Sequence, residues 1–112
     1  LLGRGSVCIN SAGEKIYPEE VEETLKQHPA VEDALVVGVK DDKWGQAVTG
    51  VVKLAEGETL DEAGILEFIK TQLAHYKAPK HVFAGGPPFR APNGKADYKS
   101  VAAFAEEQVA QL

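Results

Sequence analysis

Apolar and polar positions alternate in short blocks along the chain, and these blocks predict the strands of a small sheet. Weak alternation around a polar turn predicts an N-terminal β-hairpin within residues 6–17. Residues 31–39 and 47–54 are rich in aliphatic and β-branched side chains, and a polar turn separates them. This arrangement predicts an antiparallel pair of strands. A short strand is predicted at residues 81–83.

Three segments carry the helical pattern. Pro18 is suited to the first turn of a helix that we expect to end at Pro29. Its narrow apolar stripe consists of Val21, Leu25 and His28, and His28 is interpreted as a C-terminal cap. The acidic run off that stripe is interpreted as a solvated face rather than a pair of catalytic carboxylates; it contains Glu19, Glu20, Glu22 and Glu23.

The other two helices have recognisable N-caps. Thr59 and Glu62 have the spacing of a capping box before a helix that runs to about Leu73. Asp97 is placed to cap a last helix that continues towards Val109. The predicted fold class is therefore α+β, with helices packed on a small mixed sheet that begins with a β-hairpin.

Composition and charge exclude several classes of protein. The 112 residues fit one domain, and no apolar run approaches the roughly 18 residues of a membrane span. The net charge of −5 argues against nucleic-acid binding as the main task, although residues 75–99 carry a local charge of +4. Cys8 is the single cysteine, which excludes an internal disulfide or a cysteine-based zinc site and favours a small core residue. No signal-peptide pattern is visible, so we expect a cytoplasmic protein without a transmembrane segment.

Lys95 follows a Pro-Asn-Gly turn in a stretch rich in glycine and proline. The turn is not a phosphate-binding P-loop, because Phe89 and Ala96 stand where that motif requires glycine and serine or threonine. From the residues alone, Lys95 is either an ordinary exposed lysine or one presented to another surface.

Two segments at opposite ends of the chain resemble motifs of one family. Gly-Arg-Gly-Ser at 3–6, followed by residues 11–22, resembles the hinge motif of adenylate-forming enzymes. Tyr-Lys-Ala-Pro-Lys at 76–80 and Arg-Ala-Pro-Asn-Gly-Lys at 90–95 resemble the closing motif of that family. The chain resembles the small C-terminal domain of these enzymes, and it is most similar to fatty-acid–CoA ligases of the actinobacterial type.

The resemblance implies a two-step reaction in a larger enzyme. A carboxylic acid and ATP form an acyl-adenylate, and CoA then takes the acyl group. The chain would be one C-terminal lid domain, with residues 1–6 as a hinge remnant and 7–112 as the folded part. Its expected partners are the N-terminal domain, the acid and CoA. Magnesium is implied with ATP, and no metal ligand is evident in this chain.

The resemblance also implies roles for five residues. Lys95 matches the lysine of the adenylation step, and Arg4 matches an arginine that approaches the nucleotide. Ser6 stands at the hinge, where aspartate or lysine is usual. Gly13 matches a glycine that faces the CoA channel, and Ala12 stands beside it where glycine is common.

Two alternatives stay open at this point. The chain could belong to an adenylation domain that feeds a carrier protein instead of CoA. It could also be a noncatalytic α+β binding or dimerisation module, in which Lys95 would be dispensable. The isolated chain is expected to be inactive in either ligase interpretation.

Overall fold

The computed structural model describes residues 8–43, 45–86, 89–90 and 92–112. In chain order the elements are β1 (Ile9–Ser11), β2 (Glu14–Ile16), α1 (Pro18–Leu25), β3 (Val31–Asp41), β4 (Gly45–Leu54), α2 (Glu62–Gln72), a 3₁₀ turn (His75–Lys77), β5 (His81–Ala84) and α3 (Tyr98–Ala110). None of the helices among these residues is long and apolar enough to cross a membrane.

Strand β4 is the centre of a five-stranded mixed sheet. It pairs with β3 in a long antiparallel ladder that runs from Val31 opposite Leu54 to Asp41 opposite Gly45. On its other side β4 pairs with β5 in parallel and, through Gly45 and Ser11, with β1. Strands β1 and β2 form the N-terminal hairpin. The predicted α+β class, mixed sheet and hairpin are therefore confirmed.

Helices cover both faces of the sheet because successive side chains of β3 are apolar on both sides. Ala34 and Val36 belong to the core under α1 and α2, which contribute, among others, Val21, Leu25, Ile65 and Ile69. Leu35 and Val37 point into a second core with Val101 and Ala105 of α3. A strand that is buried on both faces has a continuous apolar run instead of an alternation, as the sequence of β3 does.

Two glutamates bond to backbone amides of the strands that flank β4. Glu22 Oε2 on α1 accepts the Val36 N–H of β3 at 2.9 Å, and Glu62 Oε2 on α2 accepts the Val82 N–H of β5 at 2.9 Å. Unpaired amides at an edge are a template for unwanted strand pairing, so these carboxylates also protect the sheet.

Several predicted details of the helices are wrong. Asp61, not Thr59, caps α2 by accepting the Gly64 N–H at 3.1 Å. The Glu62 side chain accepts the Val82 N–H of β5 and takes no part in a capping box. Helix α1 ends at Leu25, and His28 accepts the Ala30 N–H through Nδ1 instead of capping the helix.

Three other predictions about single residues have mixed outcomes. Glu22 is 5% exposed and is therefore not on a solvated face. Cys8 is only partly buried. The predicted Asp97 cap of α3 is confirmed, because its side chain accepts the Ser100 N–H at 3.1 Å.

Candidate functional site

Lys95 lies in a tight, exposed turn that closes on itself. Its N–H donates to Asn93 Oδ1 at 3.1 Å, and this hydrogen bond forms an Asx turn at the loop tip. Gly94 has φ = +85°, a conformation that glycine adopts without steric cost. The lysine is exposed, so its side chain is available to a surface outside this domain.

The base of this turn is attached to the core. Arg90 and Ala96 form an antiparallel bridge, and the Asp97 N–H donates to the Phe89 carbonyl at 2.7 Å. Phe89 is buried in the core beneath α3, and Asp97 caps that helix. The two ends of the loop are therefore held by buried packing and by a helix terminus, while its tip projects into solvent.

An ion pair connects the same base to β3. Arg90 Nη2 lies 3.3 Å from Asp33 Oδ1, which also accepts the Ala34 N–H at 2.9 Å. The ladder between β3 and β4 shifts register between Val31 and Asp33. Such bulges change the direction of nearby side chains, and this one precedes the carboxylate that holds Arg90.

Ala12 and Gly13 form the two-residue turn between β1 and β2. Ser11 pairs with Glu14, and both intervening residues have positive φ, +53° for Ala12 and +85° for Gly13. This is the signature of a type I′ hairpin turn, in which alanine is an unfavourable first residue. Both residues are exposed, and a Cβ built on Gly13 would meet nothing within 4 Å. The hairpin tip is open on the side where a side chain would stand.

The lysine loop and the hairpin turn lie towards opposite ends of the sheet. Arg90 holds the lysine loop to Asp33, near the start of β3, whereas Asp41 at the end of β3 pairs with Gly45, the partner of Ser11. Asp33 and Asp41 are eight positions apart, roughly 25 Å along the strand. The Lys95 loop and the turn of Ala12 and Gly13 are therefore attached to the sheet at two separate places.

Arg4 and Ser6, the predicted nucleotide-contacting and hinge residues, lie outside the described residues. In the part of the chain that the structure does describe, no group of three or more His, Cys, Asp or Glu residues is arranged to hold a metal ion.

Glu22 is the buried ionisable group that the sequence analysis misinterpreted. Burial raises the pKa of its carboxyl from 4.5 to about 7, and the Glu19 charge adds to the rise, although hydrogen bonds from Tyr98 and Val36 and the Lys26 charge oppose it. Its partners lie on β3 and α3, so this carboxyl connects elements of both helical layers. Its spacing of four residues from Pro18 and three from Leu25 places it on the buried face of α1, and this spacing is the signal that could have found it.

Comparison with known families agrees with this architecture. The family model of the AMP-binding enzyme C-terminal domain matches residues 20–85, which is more than half of the chain. The chain belongs to this family, and the resemblance stated from the sequence is confirmed.

Two curated relatives from actinobacteria are similar over most of the chain. A 3-oxocholest-4-en-26-oate–CoA ligase of Rhodococcus rhodochrous is 54% identical over 101 residues, which are 88% of this chain and 18% of that protein. A medium/long-chain-fatty-acid–CoA/3-oxocholest-4-en-26-oate–CoA ligase of Mycolicibacterium smegmatis is 49% identical over 98% of this chain and 20% of its own length. The chain thus spans about a fifth of the length of these relatives.

Solved structures of adenylate-forming enzymes have the same fold. A fatty acyl CoA synthetase of Mycobacterium tuberculosis aligns with a TM-score of 0.81 and 33% identity, over 90% of this chain and 20% of that one. ATP-bound MatB from Rhodopseudomonas palustris aligns with a TM-score of 0.84 and 32% identity, over 96% of this chain and 21% of that one.

Proposed function

We propose that this chain is the C-terminal lid domain of an AMP-forming acyl-CoA ligase. The full enzyme joins a carboxylic acid of the fatty-acid class to the AMP part of ATP, which releases pyrophosphate. The CoA thiol then attacks the acyl carbon of the acyl-adenylate, and AMP leaves. Membership of the family and the CoA-ligase names of the relatives support this proposal and favour CoA over a carrier protein. In the same proposal residues 7–112 form the folded lid, residues 1–6 form the hinge remnant, and the enzyme is cytoplasmic.

Lys95 is the catalytic residue of this domain in the proposal. The observation that carries the assignment is its place on a solvent-exposed tip whose base is fixed to the core. During adenylation a carboxylate and the α-phosphate of ATP approach each other while negative charge moves towards pyrophosphate. An ammonium group that donates to both reduces their repulsion and stabilises that charge. A lysine on a rigid base can deliver its ammonium group into a pocket of another domain and withdraw it later.

Ala12 and Gly13 act in the second step in this proposal. The absence of a side chain at Gly13 leaves the hairpin tip open, which suits a wall of the channel through which the CoA thiol reaches the acyl carbon. The lysine loop is attached to β3 at Asp33 and the hairpin pairs beside Asp41, roughly 25 Å further along that strand, so we expect one orientation of the lid to present only one of them to the reaction centre. Rotation of the lid about the hinge at Ser6 would present them in turn.

The remaining assignments come from the family alone. Arg4 would contact the nucleotide, and ATP and CoA would bind between this domain and the N-terminal domain. Magnesium would enter with ATP, and we assign it no ligand in this chain.

The decisive experiment compares the two half-reactions in the full-length ligase. Lys95→Ala is expected to slow adenylate formation by about 10²–10³, because it removes a charge contact made mainly in the transition state. Thioester formation from preformed acyl-adenylate should stay near the wild-type rate. Lys99→Ala, four residues further along the chain, is the matched control and should affect neither step. Adenylate formation by Lys95→Ala at the wild-type rate would contradict the proposal and favour the noncatalytic module.

A further inference from the structure

The contacts that attach the lysine loop to the domain lie at its base. The Asx turn of Asn93 and Lys95 is a hydrogen bond within the tip, so we expect the direction of Lys95 to depend on the residues at the base. Among the described residues, Phe89 packs in the core and accepts the Asp97 N–H at the cap of α3. The Arg90–Asp33 ion pair adds a polar attachment of the loop to β3.

We propose that Asp33 is a positioning residue for the adenylation step, which acts by holding Arg90 and thereby the direction of the Lys95 loop. This inference rests on the function proposed for Lys95. Arg90 is paired with Ala96, the residue next to Lys95, so a displacement of Arg90 passes directly to the strand segment that carries the lysine.

The geometry around Asp33 favours a positioning role over a general surface charge. Its side chain is 22% exposed, whereas the neighbouring Lys53–Glu32 pair is exposed by 63% and 54%. The Ala34 N–H donates to the same Asp33 oxygen that accepts from Arg90, so the β3 backbone holds the carboxylate in the orientation that meets the arginine. The lysine must reach a reaction centre in another domain, so a displacement of about 1 Å at the base of its loop is enough to lower the rate of the reaction.

The test uses single-turnover assays of both half-reactions in the full-length ligase. Asp33→Asn removes the charge and keeps an oxygen for the Ala34 N–H, and Arg90→Gln removes the other partner. Each variant is expected to slow adenylate formation roughly 2- to 5-fold, as expected for a partly exposed ion pair, and to leave the thioester step unchanged. Glu32→Gln, which breaks the adjacent exposed pair, is the matched control with no expected effect on either step.

The double variant Asp33→Asn/Arg90→Gln separates a joint action from two independent ones. If the residues act through their contact, the double variant should be no slower than the slower single variant. Additive losses, equal losses in both half-reactions, or an unchanged adenylation rate would each overturn the inference. Lys95→Ala, measured in the same assays, distinguishes the role proposed for Lys95 from the positioning role of Asp33. If Lys95→Ala also leaves adenylation unchanged, the proposed function fails. If Lys95→Ala is the one variant that slows adenylation, only the positioning role fails.

Discussion

The Tyr98 hydroxyl donates a hydrogen bond of 2.7 Å to Glu22 Oε2, and the same oxygen accepts the Val36 N–H. Tyr98 begins α3 on one face of the sheet, and Glu22 belongs to α1 on the other. The pair therefore joins the two helical layers across β3. Burial, together with the hydrogen bond to Glu22, raises the pKa of the tyrosine hydroxyl well above its ordinary range, so it remains a donor at alkaline pH as well.

Glu22 should make the stability of the domain decrease as pH rises. Its carboxyl has a pKa of about 7 when folded and 4.5 when unfolded, so the folded state binds the proton more tightly. The contribution of Glu22 to the free energy of unfolding is fully present below about pH 4.5 and is lost as pH rises through 7. The total loss is about 3 kcal/mol. Glu22→Gln keeps an oxygen acceptor without the charge, and its unfolding free energy should lack this decrease in urea titrations between pH 5 and 8.

Glu23→Gln is the matched control for this prediction. Glu23 is the next residue on α1, but its side chain is 69% exposed and pairs with Lys26. The control should keep the pH dependence of the wild type. Equal slopes for the wild type and Glu22→Gln would show that the glutamate is ionised in the folded protein at the same pH as in the unfolded chain.

Local signals were sufficient to predict most of the elements. Pro18 at the start of α1 and Asp97 at the cap of α3 act on the first turn of their own helix, so their neighbours in the sequence reveal their role. Thr59 misled the capping prediction because Asp61, an equally good cap, lies two residues closer to the helix.

The contacts that organise the site depend on the tertiary fold. Glu22 meets Tyr98, 76 residues away, and Asp33 meets Arg90, 57 residues away. The helical spacing of Glu22 indicates a buried position, but it does not indicate the strand amide or the tyrosine that the carboxylate meets. The lysine turn was predicted as a turn, but its attachment to β3 depends on a strand register that the sequence pattern does not determine.

Ala12 should be a site at which stability can be gained. Its φ of +53° is unfavourable for a residue with a Cβ, and asparagine tolerates this conformation in a type I′ turn before glycine. Ala12→Asn is expected to raise the unfolding free energy by about 0.5–1 kcal/mol, which corresponds to a shift of about 2–6 °C in Tm. Ala12→Val should act in the opposite direction, since a β-branched residue is strained there. A lower Tm for Ala12→Asn would contradict the turn assignment.

Gly13→Trp in the full-length ligase should slow thioester formation and spare adenylation. The indole would occupy the open side of the hairpin tip, where the CoA channel is proposed, while the lysine loop is attached to the other end of β3 through Asp33. The substitution also strains a residue with φ = +85°, an effect of about 1–2 kcal/mol on folding that is independent of the channel. A loss of at least about tenfold in the rate of thioester formation from preformed acyl-adenylate is expected, because an obstructed thiol cannot reach the acyl carbon in its reactive geometry.

Two controls separate obstruction of the channel from backbone strain. Gly57→Trp introduces the same side chain at φ = +84°, also with open space around its Cβ, but beyond the far end of β4. Gly13→Ala introduces the strain at the same position with little bulk. We expect both controls to keep the wild-type rate of thioester formation. If Gly13→Ala loses as much of that rate as Gly13→Trp, the conformation of the turn is what matters. Equal loss of both half-reactions in Gly13→Trp would assign the hairpin a structural role in the lid instead of a place in the CoA channel.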